Sequence, residues 1–234
     1  MAISLVTDAT YGAKIKVIGI GGAGGNAINN MIEKGLDSVD FIALNTDIQD
    51  LERSKAEIKI QIGRNTTLGL GAGMDETKGA KAVEESREEI EQVVRGCDMV
   101  FITAGMGGGT GTGGGPSVAR IAKSTGALVV GIVTKPFDFE GEDRLRIAEE
   151  GLKRFKQEVD SCIVIPNERL LTVFGEEVTL ENSFKKVDDV LYNATRGISD
   201  IITKKGKVNV DFADVKTIMR DMGDDLMGIG YANG

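Results

Sequence analysis

Apolar runs recur along the chain at Ile15–Ile20, Val39–Leu44, Ile58–Ile62, Met99–Thr103, Leu128–Val133 and Cys162–Ile165. Between them lie segments with helical apolar spacing, at roughly 23–34, 76–95, 116–124, 142–157 and 181–203. Near-continuous apolar runs predict strands buried on both faces, and their alternation with helices predicts a parallel sheet with helices on both faces, an α/β fold. The longest helix, 181–203, carries a stripe of Leu180, Phe184, Val187, Leu191, Ala194, Ile198 and Ile201, so one face is expected to be buried. Thr179 is a plausible N-cap and Lys204-Lys-Gly-Lys207 a basic, glycine-containing end. A loop over 209–214, a short helix over 215–222 and a last strand over 226–231 are predicted after it.

Three glycine clusters follow strands. The first is Gly19-Ile-Gly-Gly-Ala-Gly-Gly-Asn26 and the second Gly69-Leu-Gly-Ala-Gly73. The third, Gly105-Met-Gly-Gly-Gly-Thr-Gly-Thr-Gly-Gly-Gly115, follows Met99–Thr103 and leads into a helix expected from Pro116. A strand, a loop without side chains and a helix N-terminus together make a phosphate cradle: backbone N–H groups point inward and the helix end adds partial positive charge. Threonine hydroxyls can also donate. A flexible linker is the bland alternative, but linkers seldom join a buried strand to a helix. Ligands in such folds sit beyond the carboxyl ends of the strands.

Composition narrows the chemistry. The 234 residues include no histidine, which excludes Ser-His and Cys-His nucleophiles and argues against a zinc site. Carboxylates are then the side chains suited to acid–base work near neutral pH. The net charge of −8 argues against nucleic acid as the partner. No apolar run is long enough to span a membrane, and the two cysteines, Cys97 and Cys162, lie in or beside strand-like runs as reduced core residues would in a cytoplasmic protein.

Gly19, Gly21 and Gly24 match G-x-G-x-x-G, and Asp47 lies near where a ribose-binding acid would be expected. Alone, this suggests an NAD-type oxidoreductase. Three converging loops fit a triphosphate better than a bridging pyrophosphate. No G-x-x-x-x-G-K-[ST] occurs, and no loop carries lysine or arginine. Phosphate charge must be met by backbone N–H groups, helix dipoles and a cation such as Mg²⁺.

Gly108-Gly-Thr-Gly-Thr-Gly-Gly114 resembles the signature of the tubulin/FtsZ GTPase family. Ala43-Leu-Asn-Thr-Asp47, Gly71-Ala-Gly73, Lys135-Pro-Phe-Asp-Phe-Glu-Gly141, Asn167-Glu-Arg-Leu170 and Asn209-Val-Asp-Phe-Ala-Asp214 extend the resemblance from about Lys14 to the end. It implies a Rossmann-like GTPase domain with a long central helix. The implied division is a flexible arm over 1–13, a GTP-binding domain over 14–178, the central helix over 179–203, a catalytic loop and short helix over 204–225, and the start of a truncated second domain over 226–234. It implies GTP or GDP as ligand, Mg²⁺ with GTP, no dedicated protein metal site, and Gly21, Gly22, Ala23, Gly24, Gly25 and Asn26 under the phosphates. Ala72 and Gly73 would approach the γ-phosphate, and Gly108, Gly109, Thr110, Gly111 and Thr112 would cradle the chain. Glu140 and Arg144 would hold the ribose, Asn167, Phe184 and Asp188 would read guanine, and Asn209, Asp211 and Asp214 would be catalytic. A cytoplasmic cell-division filament is implied, with division proteins docking on a tail absent here.

Each residue keeps a plainer reading. Phe184 fits its helix's apolar stripe, and Asp188 one turn on could be a solvated acid. Arg144 could simply pair with Glu140, and Asp214 could cap the helix it precedes. The central helix spans about 30 Å, so Asp211 and Asp214 are expected a domain-length from the glycine loops. They would then serve a neighbour stacked head to tail, in an open filament. Slow hydrolysis and poor assembly are expected of the isolated domain, and a non-catalytic filament-capping fragment is the other alternative.

Overall fold

The computed structural model describes residues 12–174, 179–204, 211–220 and 222–224. The elements run β1 (Ile15–Ile20), α1 (Gly21–Glu33), β2 (Asp40–Asn45), α2 (Ile48–Glu52), β3 (Ile58–Gln61), α3 (Arg64–Thr67), α4 (Glu76–Glu85) and α5 (Arg87–Val94). They continue with β4 (Met99–Gly105), α6 (Gly109–Ser124), β5 (Leu128–Lys135), a 3₁₀ turn (Asp138–Glu140), α7 (Glu142–Glu158), β6 (Ser161–Pro166) and α8 (Asn167–Phe174). The last elements are α9 (Leu180–Thr203), α10 (Phe212–Met219) and the two-residue β7 (Gly223–Asp224).

The strands form one parallel sheet of order β3-β2-β1-β4-β5-β6-β7. Val17, Ile18, Val100, Phe101 and Ile102 are fully buried, as strands covered on both faces require. One apolar layer joins the sheet to α4, α5, α6 and α7 through Val83, Ile90, Val118, Ile121 and Phe155. The other joins it to α1 and α9 through Ile28, Met31, Val187 and Leu191. The chain winds outward from β1 to β3, then returns to place β4 on the other side of β1. That reversal leaves a crevice at the carboxyl edge, where the starts of α1 and α6 face each other.

Several boundaries differ from the sequence pattern. The helix expected over 76–95 breaks at buried Ser86, which ends α4 and precedes α5. The helix expected from Pro116 begins seven residues earlier, at Gly109, and takes most of the glycine run into regular structure. Packing is the reason. A Cβ on Gly113 would overlap the Glu76 carbonyl, and one on Gly79 the Gly109 carbonyl. Glycine is a poor helix former, yet here it lets α4 and α6 approach backbone to backbone.

The α9 stripe is shorter than its spacing suggests: Val187, Leu191 and Ala194 are buried, whereas Phe184 and Ile201 are exposed. Thr179 caps α9 as expected, its hydroxyl accepting from the Asn182 N–H at 3.3 Å. Helix α10 starts at Phe212, so Asp214 lies in its first turn and Asp211 stands at the N-cap position. Asp214 is therefore no cap. The chain also rejoins the sheet at Gly223–Asp224, where a connecting loop was expected. The arm over 1–11 and the strand over 226–231 lie outside the described residues.

Candidate nucleotide site

At the crevice lies a cavity of about 640 Å³. The first strand–helix junction supplies Gly21, Gly22, Ala23 and Asn26 to its wall. Gly21 has φ +71°, a left-handed turn that starts α1 immediately after β1. Gly24 does not line the cavity: its missing Cβ lets α1 close on β4, since one there would press on the Thr103 carbonyl. Gly19 has the same function against Gly24. Gly25 also lies off the wall.

The third cluster supplies Gly108, Gly109, Thr110 and Gly111. Thr112 does not reach the cavity. It is fully buried, and its hydroxyl accepts the Gly107 N–H at 2.8 Å, folding the turn that places Gly108 and Gly109. The second cluster supplies Ala72 and Gly73. It is tied to the turn after β2 and to the third cluster: Gly71 N–H donates to the Thr46 carbonyl at 3.2 Å, and Gly109 N–H donates to the Gly73 carbonyl at 2.6 Å. These segments form one bonded rim, and the first cluster lines the same cavity beside them.

That rim has two helix N-termini and, among the described residues, one lysine or arginine on the wall of the whole cavity, Arg144. Arg144 pairs with Glu140 at 2.9 Å. The other Glu140 oxygen accepts the Phe137 N–H at 2.9 Å, so the pair is fastened to the turn after β5. Such a rim holds an anion through backbone donors and dipoles rather than through side-chain charge.

At the other end of the cavity stand Asn167, Phe184 and Asp188. Asn167 begins α8 and is 4% exposed, and its Oδ1 has no hydrogen-bond partner among the described residues. A buried amide oxygen left so is an acceptor awaiting a donor. The Phe184 ring is 42% exposed and meets Phe137 edge-on with centroids 5.2 Å apart, leaving a face open. Phe137 in turn stacks on Phe139 at 4.9 Å. Burial, with the neighbouring Asp189 charge second, pushes the Asp188 carboxyl up to about 7. A planar group with adjacent N–H donors would satisfy both Asn167 and Asp188.

Sequence reasoning missed Asn45, Thr46, Asp50 and Leu70 on the wall. Thr46 is buried and its hydroxyl lies 2.7 Å from that of Thr110. The signal was present for three of them: Asn45 ends β2 and Thr46 and Asp50 follow it closely, whereas Leu70 comes after α3. Asp47 also lines the cavity, but its Oδ1 accepts the Gln49 and Asp50 N–H groups and caps α2. It serves the turn instead of standing as a free ribose acid.

Asp211 and Asp214 are exposed and lie elsewhere. Lys216 of α10 donates to the Gly126 carbonyl at 3.3 Å, and Met222 N–H to the Asp160 carbonyl at 3.0 Å. Gly126 and Asp160 precede β5 and β6. The acids therefore flank the amino edge of the sheet, opposite the cavity. Asn209 lies outside the described residues.

Comparison with known proteins agrees with this geometry. The model of the tubulin/FtsZ family GTPase domain matches residues 14–175. The chain therefore belongs to the tubulin/FtsZ family and contains its GTPase domain. Among solved structures it is similar to an empty FtsZ dimer from M. jannaschii, with 50% identity over 91% of this chain and 62% of that one, and a TM-score of 0.87. It shares its fold with a GTPγS-bound CetZ2 protofilament from Haloferax volcanii, at 24% identity over 90% of this chain and 64% of that one, with a TM-score of 0.78. The chain spans less than two thirds of either relative.

Proposed function

We propose that the cavity binds a guanine nucleotide and that GTP held there is hydrolysed with acids from the next copy of the chain, stacked head to tail in a filament. The phosphates lie along Gly21, Gly22 and Gly108–Gly111, with Ala72 and Gly73 at the γ end. Glu140 and Arg144 hold the ribose. The base stacks on Phe184, and Asp188 accepts from guanine N1 and N2, a donor pair adenine lacks. The observation that supports the reading is that the cavity lies at the carboxyl edge of the sheet while Asp211 and Asp214 lie at the amino edge. Among the described residues the acids beside the phosphate rim are Asp47, whose carboxylate caps α2, and Asp50; the acids of the family's catalytic segment lie at the other edge.

Asp211 and Asp214, with Asn209, are assigned to that water. They orient and polarise it as it attacks the γ-phosphorus, the bond to the β-phosphate oxygen breaks, and GDP and phosphate leave. Asp47 and Asp50 add negative charge beside the phosphate rim, which suits a triphosphate arriving with a divalent cation. Among the described residues no cluster of three acids could hold a metal alone, so Mg²⁺ would be bound chiefly by phosphate oxygens and water. It would supply charge neutralisation for the leaving diphosphate. The identity with FtsZ supports a cytoskeletal role in cell division, with assembly at the division site as its finer form. Among the described residues no helix is long and apolar enough to cross a membrane.

Equilibrium binding of GDP and ADP tests the pocket. GDP is expected to bind and ADP to bind far more weakly; equal affinity overturns the guanine assignment. Loss of steady-state phosphate release in Asp211→Ala, with GDP binding retained, is expected for the acids. Unchanged turnover would remove Asp211 from the reaction.

A further inference from the structure

Asp188 reads the base only if its carboxylate is both aimed and ionised, and neither follows from Asp188 alone. It lies beside the hydrophobic positions Val187 and Leu191 of α9 and next to a second acid, Asp189, which is turned toward α1. Asn30 of α1 and Lys34 at its C-cap hold Asp189. Lys34 Nζ lies 2.7 Å from its Oδ1, and Asn30 Nδ2 donates to the same oxygen at 3.3 Å. Lys34 also sits over the Tyr192 ring, 5.0 Å from the centroid, with Arg196 on Tyr192 from the next turn. The first turn of this same α1 forms the phosphate rim. One helix thus touches the phosphate end of the cavity with its N-terminus and the base-reading helix with its C-terminal half.

We propose that Lys34 and Asn30 are positioning residues for guanine recognition: by holding and neutralising Asp189 they keep the adjacent Asp188 facing the cavity as an acceptor. This deepens the guanine reading above and rests on it.

The electrostatics agree in direction. The Asp189 charge is one of two causes raising Asp188, burial being the larger. Lys34 offsets that charge from outside the cavity. Several charged groups on elements near α9 are paired with other residues. Glu33 pairs with Lys55, Lys135 with Glu149, Arg144 with Glu140, and Glu168 accepts the Asp138 N–H. Asp47 and Asp50 line the cavity on its phosphate side.

The variants make opposite predictions, which a merely structural contact would not. Lys34→Met leaves Asp189 uncompensated, so Asp188 keeps its proton to higher pH. Asp189→Asn removes the like charge, so Asp188 ionises at lower pH. Calorimetric titration with GDP from about pH 6 to 8 reads both. Near pH 6.5 we expect Lys34→Met to bind GDP about two- to fivefold more weakly than the unaltered chain and Asp189→Asn about as much more tightly, each effect shrinking as pH rises. Lys34→Arg is expected to restore the unaltered profile. Equal weakening of both variants at every pH, or profiles that do not move, overturns the proposal while leaving guanine binding intact. Absence of GDP binding by the unaltered chain overturns the guanine reading and this one with it.

Discussion

Asp188 answers two opposed demands. Without nucleotide its carboxyl is held up at about 7 by burial and by Asp189, against 3.8 for a free aspartate. From about pH 4 to 7 the unfolded chain loses this proton while the folded chain keeps it, so stability falls as pH rises through that window and levels off above it. Asp188→Asn removes the penalty. The nucleotide-free variant is expected to unfold at higher urea than the unaltered chain at pH 8, by about 1–4 kcal/mol, and to match it near pH 4. The same variant is expected to lose GDP affinity, so stability and binding move in opposite directions. For the unaltered chain, GDP affinity is expected to fall as pH drops below about 7, because Asp188 must then give up a proton to accept from the base. Phe184→Ala makes a simpler prediction. It removes an exposed, open ring face, and a base that stacks there loses about 1–3 kcal/mol of binding with little change in stability. The periodicity of α9 could not tell Phe184 from its buried neighbours, because cavity and core lie on the same side of the helix. The environments of Asn167 and Asp188 were equally hidden, since burial is a property of the fold and not of the local sequence.

Among the elements, the strands were legible because a parallel sheet buried on both faces leaves near-continuous apolar runs, as in Met99–Thr103 and Leu128–Val133. What could not be read were the boundaries set by contact. Gly109–Gly115 look like loop in one dimension and form helix because α4 lies against them. Gly113→Ala is therefore expected to destabilise the fold by about 1–3 kcal/mol in urea unfolding, although alanine is the better helix former. A stabilised variant would mean that the two helices have room between them. The short α2, α3 and α8 went unread because each occupies a turn or two directly after a strand or glycine, where capping and tertiary bonds decide. Asp47 caps α2, and Glu85 accepts four hydrogen bonds from Asn65 and Thr66 at the start of α3.

At the scale of the whole molecule, the cavity and the acids Asp211 and Asp214 lie at opposite edges of the sheet. Parallel strands direct every βα loop to one edge, so the nucleotide rim gathers there whatever the individual helices do. The central helix carries the chain to the other edge, where α10 is fastened to the turns before β5 and β6. Its length was readable from the sequence, and so was the expectation that Asp211 and Asp214 lie away from the glycine loops. On the proposed reading the site is completed by a second copy, and head-to-tail repetition leaves both filament ends open. The most direct test mixes two defective chains. Asp211→Ala keeps the nucleotide cavity and lacks the acid, whereas Asp188→Ala keeps the acid and lacks base recognition. Each alone is expected to release phosphate from GTP more slowly than the unaltered chain at the same concentration. Mixed in equal amounts, they are expected to release more than the sum of the two, increasingly so as total protein rises. A mixture that gives only the sum at every concentration would contradict the assignment of hydrolysis to the junction between copies.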